Sequence, residues 1–159
     1  MSAISQLYRQ KPCVFSIECF PPKQTTRFAA MQDTLRRMKA LDPDFISVTY
    51  GAGGSAGGVS SVQVASFLKN ELGIQPLAHV LCMGSDRQKA AAQLEALRAA
   101  GVRDVLALRG DRTPLRPESP DFHHACDLMD FIRDTAPDIS FAGACYPEGH
   151  PEAGGTELT

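Results

Sequence analysis

Residues 104–111 have the sequence Asp-Val-Leu-Ala-Leu-Arg-Gly-Asp, in which an apolar run is followed at once by an arginine, a glycine and an aspartate. An uninterrupted apolar run of this length is typical of a strand buried on both faces, as in parallel sheets covered by helices. In α/β proteins, ligands and catalytic groups lie at the carboxyl ends of such strands. We therefore predict a buried parallel strand here, with Arg109, Gly110 and Asp111 at its functional end.

The same pattern recurs along the rest of the chain. We predict further strands at residues 13–20, 45–50, 77–82 and 139–145. Residues 1–11 are polar, which indicates a short N-terminal helix or arm. Apolar residues at helical spacing fill each gap between strands. The expected helix starts are Thr25 or Thr26, the end of the glycine-rich loop 51–58, a capping box of Ser85 and Gln88, and Ser119 followed by Pro120.

Strands and helices alternate with a repeat of roughly thirty residues, the size of a βα unit. Because connections between parallel strands are right-handed, this order predicts either a doubly wound open sheet or part of a barrel. A complete eight-stranded barrel needs about 250 residues. We favour the (β/α)8 barrel type, of which residues 1–159 would supply about five strands and four helices as one incomplete domain.

Composition excludes several classes of function. Of the 159 residues, 43% are hydrophobic and 21% are charged, and the formal net charge is −2. Such a charge gives no reason to expect nucleic acid or an anionic membrane as a partner. The five cysteines lack a framework spacing, and the first ten residues show no secretory signal. We expect a soluble cytoplasmic protein with reduced thiols and no membrane span.

The glycine-rich loop allows an alternative. Residues 51–56, Gly-Ala-Gly-Gly-Ser-Ala, match the dinucleotide-binding pattern G-x-G-x-x-A, and Glu71 follows about 20 residues later. However, Glu71 would lie inside a helix, and the motif follows the second strand instead of the first. A plain flexible loop, whose backbone N–H groups could approach a phosphate or flavin, is the simpler interpretation.

Glu18 is a candidate acid near the end of the first strand, between Ile17 and Cys19. A carboxyl group in apolar surroundings keeps its proton more readily, as a general acid requires. The alternative is an ion pair with an arginine or lysine across the sheet. Arg109 and Asp111 could likewise form only a local salt bridge.

Pairs of potential metal ligands also occur, such as His79 with Cys82 and Cys145 with His150. A further group is His123, His124 and Cys126. None has the paired spacing of a zinc site, so no metal is predicted.

Polar side chains lie at or near the carboxyl ends of successive strands and are expected to share one face of a barrel. These residues are Glu18, Thr49, His79, Arg109, Asp111 and Tyr146. Independent structural explanations would be needed for each of them, whereas one site explains them all.

Four motifs resemble the methylenetetrahydrofolate reductase family, in the same order and at similar separations. They are Phe-Ser-Ile-Glu-Cys-Phe-Pro-Pro-Lys at 15–23, Ser-Val-Thr-Tyr-Gly-Ala-Gly-Gly-Ser at 47–55, Ala-Leu-Arg-Gly-Asp at 107–111 and Tyr-Pro-Glu-Gly-His-Pro-Glu-Ala at 146–153. The resemblance implies an FAD-dependent barrel that takes hydride from NADH or NADPH. Its reaction would reduce 5,10-methylenetetrahydrofolate to 5-methyltetrahydrofolate, in one-carbon metabolism and methionine biosynthesis.

The resemblance also implies roles for individual residues. Glu18 would protonate the folate as its imidazolidine ring opens to an iminium, and Asp111 would favour that cation near the flavin. Thr49 would also lie near the nicotinamide, and the donor fork of Arg109 suits phosphate or flavin oxygens. The positions that match FAD contacts are Thr49, Tyr50, Ala52, His79, Arg109, Gly110, Asp111, Tyr146, His150 and Ala153.

The chain departs from the family pattern in places. Residues 56–58, Ala-Gly-Gly, replace a polar, charged segment, and His124 stands where relatives often have a tyrosine. The chain corresponds to about the first three-fifths of a family barrel, so later contacts are missing. We therefore expect weak FAD binding and poor folate reduction by the chain alone, unless homo-oligomerisation or another polypeptide completes the barrel. A catalytically silent half-barrel that serves assembly is the alternative.

Overall fold

A computed structural model describes residues 3–50, 58–111, 117–146 and 149. This part of the chain contains one sheet of five parallel strands. The strands are β1 (Ser16–Cys19), β2 (Phe45–Val48), β3 (Gln75–Leu81), β4 (Asp104–Leu108) and β5 (Ser140–Gly143). Each strand from β2 to β5 pairs with the strand that precedes it in the sequence. The parallel α/β fold predicted from the sequence is confirmed.

Helices connect the strands, and a further helix precedes them. They are α1 (Ala3–Gln10), α2 (Phe28–Met38), α3 (Ser61–Phe67), α4 (Arg87–Ala99) and α5 (Ala125–Thr135). Helix α3 continues as a π-helical turn, Leu68–Leu72, and ends at Gly73, whose φ of +68° lies in the left-handed region. A side chain is strained in that conformation, so a glycine suits the end of this helix.

The main hydrophobic core lies between helices α2–α5 and one face of the sheet. Val48, Val80 and Val105 from the strands pack there with Leu94 and Leu128 from the helices, and all five are almost fully buried. We call this the helix face of the sheet. Alternate residues along each strand point to the opposite face, which we call the inner face.

Helix α1 covers the amino end of the inner face. Its Ile4 packs with Phe45 of β2 and Leu77 of β3 in a second buried cluster, to which Leu7 of α1 and Leu106 of β4 also contribute. The inner face is therefore apolar where Phe45, Leu77 and Leu106 lie beneath α1. Towards the carboxyl ends, the inner face carries polar residues.

The strand order contradicts the alternative of a dinucleotide-binding sheet. That fold has the order 3-2-1-4-5-6 and helices on both faces, because the winding reverses at its first strand. Here the strands lie in sequential order and helices α2–α5 pack on one face. Glu71 lies within the π-helical turn, and residues 51–57 of the glycine-rich loop lie outside the described residues.

β1, β2 and β5 are shorter than predicted, whereas β3 (Gln75–Leu81) begins two residues before the predicted 77–82. β1 begins at Ser16 instead of Cys13. The backbone N–H of Phe15 donates to Asp44 Oδ2 at 2.9 Å, so it is not available to a neighbouring strand. The observed β5 likewise covers four residues of the predicted 139–145.

Three of the predicted helix starts are wrong. Thr25 and Thr26 lie inside a 3-10 turn, Thr25–Arg27, that precedes α2. The cap of α4 is Asp86 instead of Ser85, and its carboxylate accepts from the Lys89 N–H at 2.8 Å. Ser119 Oγ accepts from the N–H of Phe122 at 2.9 Å, but this bond closes a separate turn before α5.

No helix in the described part of the chain is long and apolar enough to cross a bilayer. Within the same residues, no group of three or more histidine, cysteine, aspartate or glutamate side chains could hold a metal ion.

Candidate active site

Glu18 lies one residue before the end of β1, on the inner face. The prediction that it sits in apolar surroundings is wrong, because its side chain is 48% exposed. Its sequence neighbours Ile17 and Cys19 point to the helix face, where they join the main core. Successive side chains of a strand alternate between faces, so these two residues do not surround the carboxylate.

Ser47 is the cross-strand neighbour of Glu18. The two residues are in register between β1 and β2. Ser47 is buried, and its Oγ donates a hydrogen bond of 3.1 Å to Glu18 Oε2. A half-exposed carboxylate thus accepts a hydrogen bond from a buried hydroxyl group.

His79 of β3 contacts the same carboxylate oxygen. Its Nε2 lies 3.6 Å from Glu18 Oε2, and its side chain is only 8% exposed. Burial lowers the pKa of His79, and the negative charge of Glu18 opposes this only in part. The imidazole is therefore neutral near pH 7.

The buried Nε2 of His79 has no hydrogen-bond partner in the described part of the chain. Buried polar atoms are nearly always hydrogen-bonded, and an exception calls for an explanation such as an absent ligand. This atom lies beside Glu18, which is itself open to solvent. The pair can therefore act together on a molecule that enters from the inner face.

The segment after β4 carries Arg109, Gly110 and Asp111. Gly110 has a φ of +83°, in the left-handed region where side chains are strained. Arg109 Nε donates to the Gly110 carbonyl at 3.3 Å. Arg109 also lines a cavity of about 150 Å³ together with Met83, Glu118, Ser119, Phe122, His123 and His124.

The remaining predicted residues lie at the same edge of the sheet, insofar as the structure describes them. Thr49 and Tyr50 directly follow β2, and the Thr49 N–H donates to the Cys19 carbonyl at 3.0 Å. Tyr146 follows β5 and is exposed. Ala52, His150 and Ala153 lie outside the described residues.

The structure brings Glu18 and His79 into contact, and it adds Ser47, which sequence reasoning missed. Thr49 was predicted as a site residue because it lies near the carboxyl end of the predicted strand 45–50. The period-two alternation of β2 places Ser47 on the same face as Thr49, and this signal was available in the sequence. The register that places Ser47 opposite Glu18 could not be predicted from the sequence.

The buried thiols near the site are unreactive at neutral pH. Burial raises the pKa of Cys82 to about 12 and that of Cys19 to about 12. The thiolate form, which is the nucleophile and the metal ligand, is therefore scarce. The carboxylate of Glu18, the imidazole of His79 and the hydroxyl group of Ser47 are the groups that the structure brings into contact at this edge of the sheet.

A family model and the similar sequences point to one family. The family model described as methylenetetrahydrofolate reductase matches residues 3–158. The chain is 36% identical over 152 residues to methylenetetrahydrofolate reductase 2 of Schizosaccharomyces pombe, which covers 91% of this chain and 23% of the relative. It is 32% identical to methylenetetrahydrofolate reductase (NADH) 1 of Arabidopsis thaliana, over 94% of this chain and 26% of the relative.

A bacterial relative and a solved structure extend the comparison. The 5,10-methylenetetrahydrofolate reductase of Pectobacterium carotovorum is 31% identical over 87% of this chain and 45% of its own length. The chain thus spans less than half the length of these relatives. The 4-hydroxy-tetrahydrodipicolinate synthase of Methylacidiphilum fumariolicum SolV superposes with a TM-score of 0.57 at 12% identity, covering 86% of this chain and 45% of that chain. This likeness concerns the fold alone.

Proposed function

The chain belongs to the methylenetetrahydrofolate reductase family, and from this membership we propose that it takes part in reducing 5,10-methylenetetrahydrofolate to 5-methyltetrahydrofolate. The observation that carries the proposal is the contact of Glu18 with Ser47 and His79 on the inner face. NADH is the proposed hydride donor, because the relatives from Arabidopsis and maize are named for it. NADPH remains the alternative donor.

Glu18 is the proposed acid. A carboxyl group that is half exposed can touch a bound folate, whereas a fully buried one could not. It would transfer its proton to a ring nitrogen of the folate as the imidazolidine ring opens. The negative charge of Asp111 would favour the cationic iminium that results.

FAD is the proposed cofactor, and the described residues fit it. The buried Nε2 of His79 needs a polar partner, which a flavin ring could supply. When bound, FAD would carry the hydride from the nicotinamide to the folate. The residues proposed to hold it are Thr49, Tyr50, His79, Arg109, Gly110, Asp111 and Tyr146, and Ala52, His150 and Ala153 join them on the family resemblance alone.

We also propose that this sheet is part of a single β/α-barrel domain in a cytoplasmic protein. The sequential strand order and the packing of the helices on one face support the barrel. In the described part of the chain, β1 and β5 each pair with a single strand. Either a second copy or another polypeptide segment would complete such a barrel around the folate.

Replacing Glu18 by Gln tests the proposal in the full polypeptide that carries this sequence. The amide keeps the size of the side chain but cannot deliver a proton, so folate reduction should fall at least 100-fold. Reduction of the flavin by NADH should persist, because it needs no acid at this position. Stopped-flow absorbance of the flavin measures both half-reactions separately.

Glu95→Gln is the matched control, since Glu95 is an exposed carboxylate on α4. It should leave both half-reactions unchanged. Folate reduction at the normal rate by the Glu18→Gln variant would contradict the proposal. A protein that elutes without flavin absorbance from size-exclusion chromatography, and does not bind added FAD, would instead support the assembly module.

A further inference from the structure

Three observations single out Ser47, a residue to which the proposed reaction gives no role. It is buried on the inner face, it is in register with Glu18, and its hydroxyl group bonds one particular carboxylate oxygen. The second neighbour of that oxygen, His79 Nε2, lies at 3.6 Å, beyond a normal hydrogen bond. The hydroxyl of Ser47 is thus the closer of these two contacts of Glu18 Oε2.

We propose that Ser47 is a positioning residue, which engages Glu18 Oε2 so that the other oxygen, Oε1, carries the proton delivered to the folate. This inference rests on the proposed function of Glu18 as the acid. A carboxyl group that accepts a hydrogen bond on one oxygen is best protonated on the other. The side chain is also held in one orientation before the substrate arrives, which lowers the entropy lost in reaching the transition state.

The proton transfer balances without a further reactant. The O–H bond at Glu18 Oε1 breaks, and an N–H bond forms at a ring nitrogen of the folate. The C–N bond at that nitrogen then breaks, leaving a neutral amine and an iminium. Glu18 remains as a carboxylate, to which the Ser47 hydroxyl donates, and its exposure lets water return the proton.

Two titratable groups described beside Glu18, His79 and Cys19, do not form an ion pair that could position its carboxylate. His79 faces it from β3, and burial lowers the pKa of that imidazole. The neighbouring thiol of Cys19 points to the helix face, and burial raises its pKa to about 12. Both groups are therefore neutral near pH 7. A neutral hydrogen-bond donor, and not an ion pair with either of these groups, orients the carboxylate.

Ser47→Ala removes the hydroxyl group and leaves the strand pairing in place. In the full polypeptide, we expect kcat for folate reduction to fall about tenfold, the effect of one hydrogen bond to a charged group. KM for folate should change less than about twofold. Reduction of the flavin by NADH should stay unchanged. Ser47→Thr restores a hydroxyl at the same place and should recover most of kcat.

Infrared spectroscopy gives a readout that needs neither cofactor nor turnover. With glutamate labelled by carbon-13, the carboxylate band that disappears in Glu18→Gln belongs to Glu18. That band should shift in Ser47→Ala, because its frequency depends on hydrogen bonding, and return in Ser47→Thr. Ser16→Ala is the matched control, since Ser16 is an exposed serine on the same face of β1.

Wild-type kcat in Ser47→Ala would overturn the inference, as would an unshifted Glu18 band. If Ser47→Ala does not fold, Ser47→Cys takes its place with the same expected results, because a thiol is only a weak donor. A failure of the proposed function looks different. In that case the wild-type protein does not reduce folate, or Glu18→Gln reduces it normally, while the infrared shift still tests the hydrogen bond.

Discussion

The burial of His79 links the stability of the protein to pH. Its pKa is lowered from the ordinary value of 6.5 by burial, so the folded state resists protonation of this imidazole. In the unfolded chain the same group takes up a proton below about pH 6.5. The unfolded state therefore binds more protons in this range, and stability falls as the pH falls.

We predict that His79→Gln weakens this dependence on pH. The free energy of unfolding should fall between pH 7 and pH 5.5 in the wild-type protein and fall less in the variant. Urea unfolding at several pH values measures both slopes. Ser16→Ala, which removes no titratable group, is the control and should keep the wild-type slope. Equal slopes for His79→Gln and the wild type would contradict the prediction.

Single residues also show where sequence reasoning stopped. The position of Glu18 near the end of β1 was predictable from the strand that precedes two prolines. Its surroundings were not, because they come from β2 and β3 and depend on the register between strands. Sequence neighbours of a strand residue lie on the opposite face, so they misled the prediction of an apolar environment.

Among the helices, the sequence identified the segments better than their first residues. Each predicted helical stretch contains a helix, since apolar periodicity extends over many residues. A cap depends on one or two hydrogen bonds, and neighbouring polar residues compete for them. Asp86 caps α4 in place of Ser85, and Asp127 accepts from the N–H groups of His123 and His124, which places the start of α5 after both.

The start of α3 allows a direct test of a capping box. Ser60 Oγ accepts from the Gln63 N–H at 3.1 Å, and Gln63 Oε1 accepts from the Ser60 N–H at 2.9 Å. Ser60→Ala should lower the free energy of unfolding by about 1 kcal/mol, because the Gln63 N–H loses its acceptor. Urea unfolding measures the change. Ser60→Thr keeps an acceptor and should cost less, and equal losses in the two variants would contradict this explanation.

For the molecule as a whole, the parallel sheet and the handedness of its connections were predictable from the sequence. The packing of α1 on the inner face was not. Four similar βα units followed by a fifth strand imply a parallel sheet, and right-handed connections limit how it can wind. The contact between α1 and the sheet has no comparable signal in the sequence. It depends on Ile4, which packs with Phe45 and Leu77 from two adjacent strands that lie far from it in the sequence.

We predict that α1 contributes measurably to the stability of the sheet. Ile4→Ala should lower the free energy of unfolding by about 2 kcal/mol, through lost burial and the cavity left beside Phe45 and Leu77. Gln6→Ala on the exposed side of α1 is the control and should change stability little. Thermal or urea unfolding compares the two variants. Similar small effects of both would show that α1 is only loosely attached.

The sequential strand order bears on how the protein is made. Each strand pairs with the one synthesised before it, so no later segment needs to insert between two strands that have already joined. A polypeptide emerging from the ribosome can therefore add one βα unit at a time to a growing sheet. The last strand to emerge always forms the edge, which the next one covers.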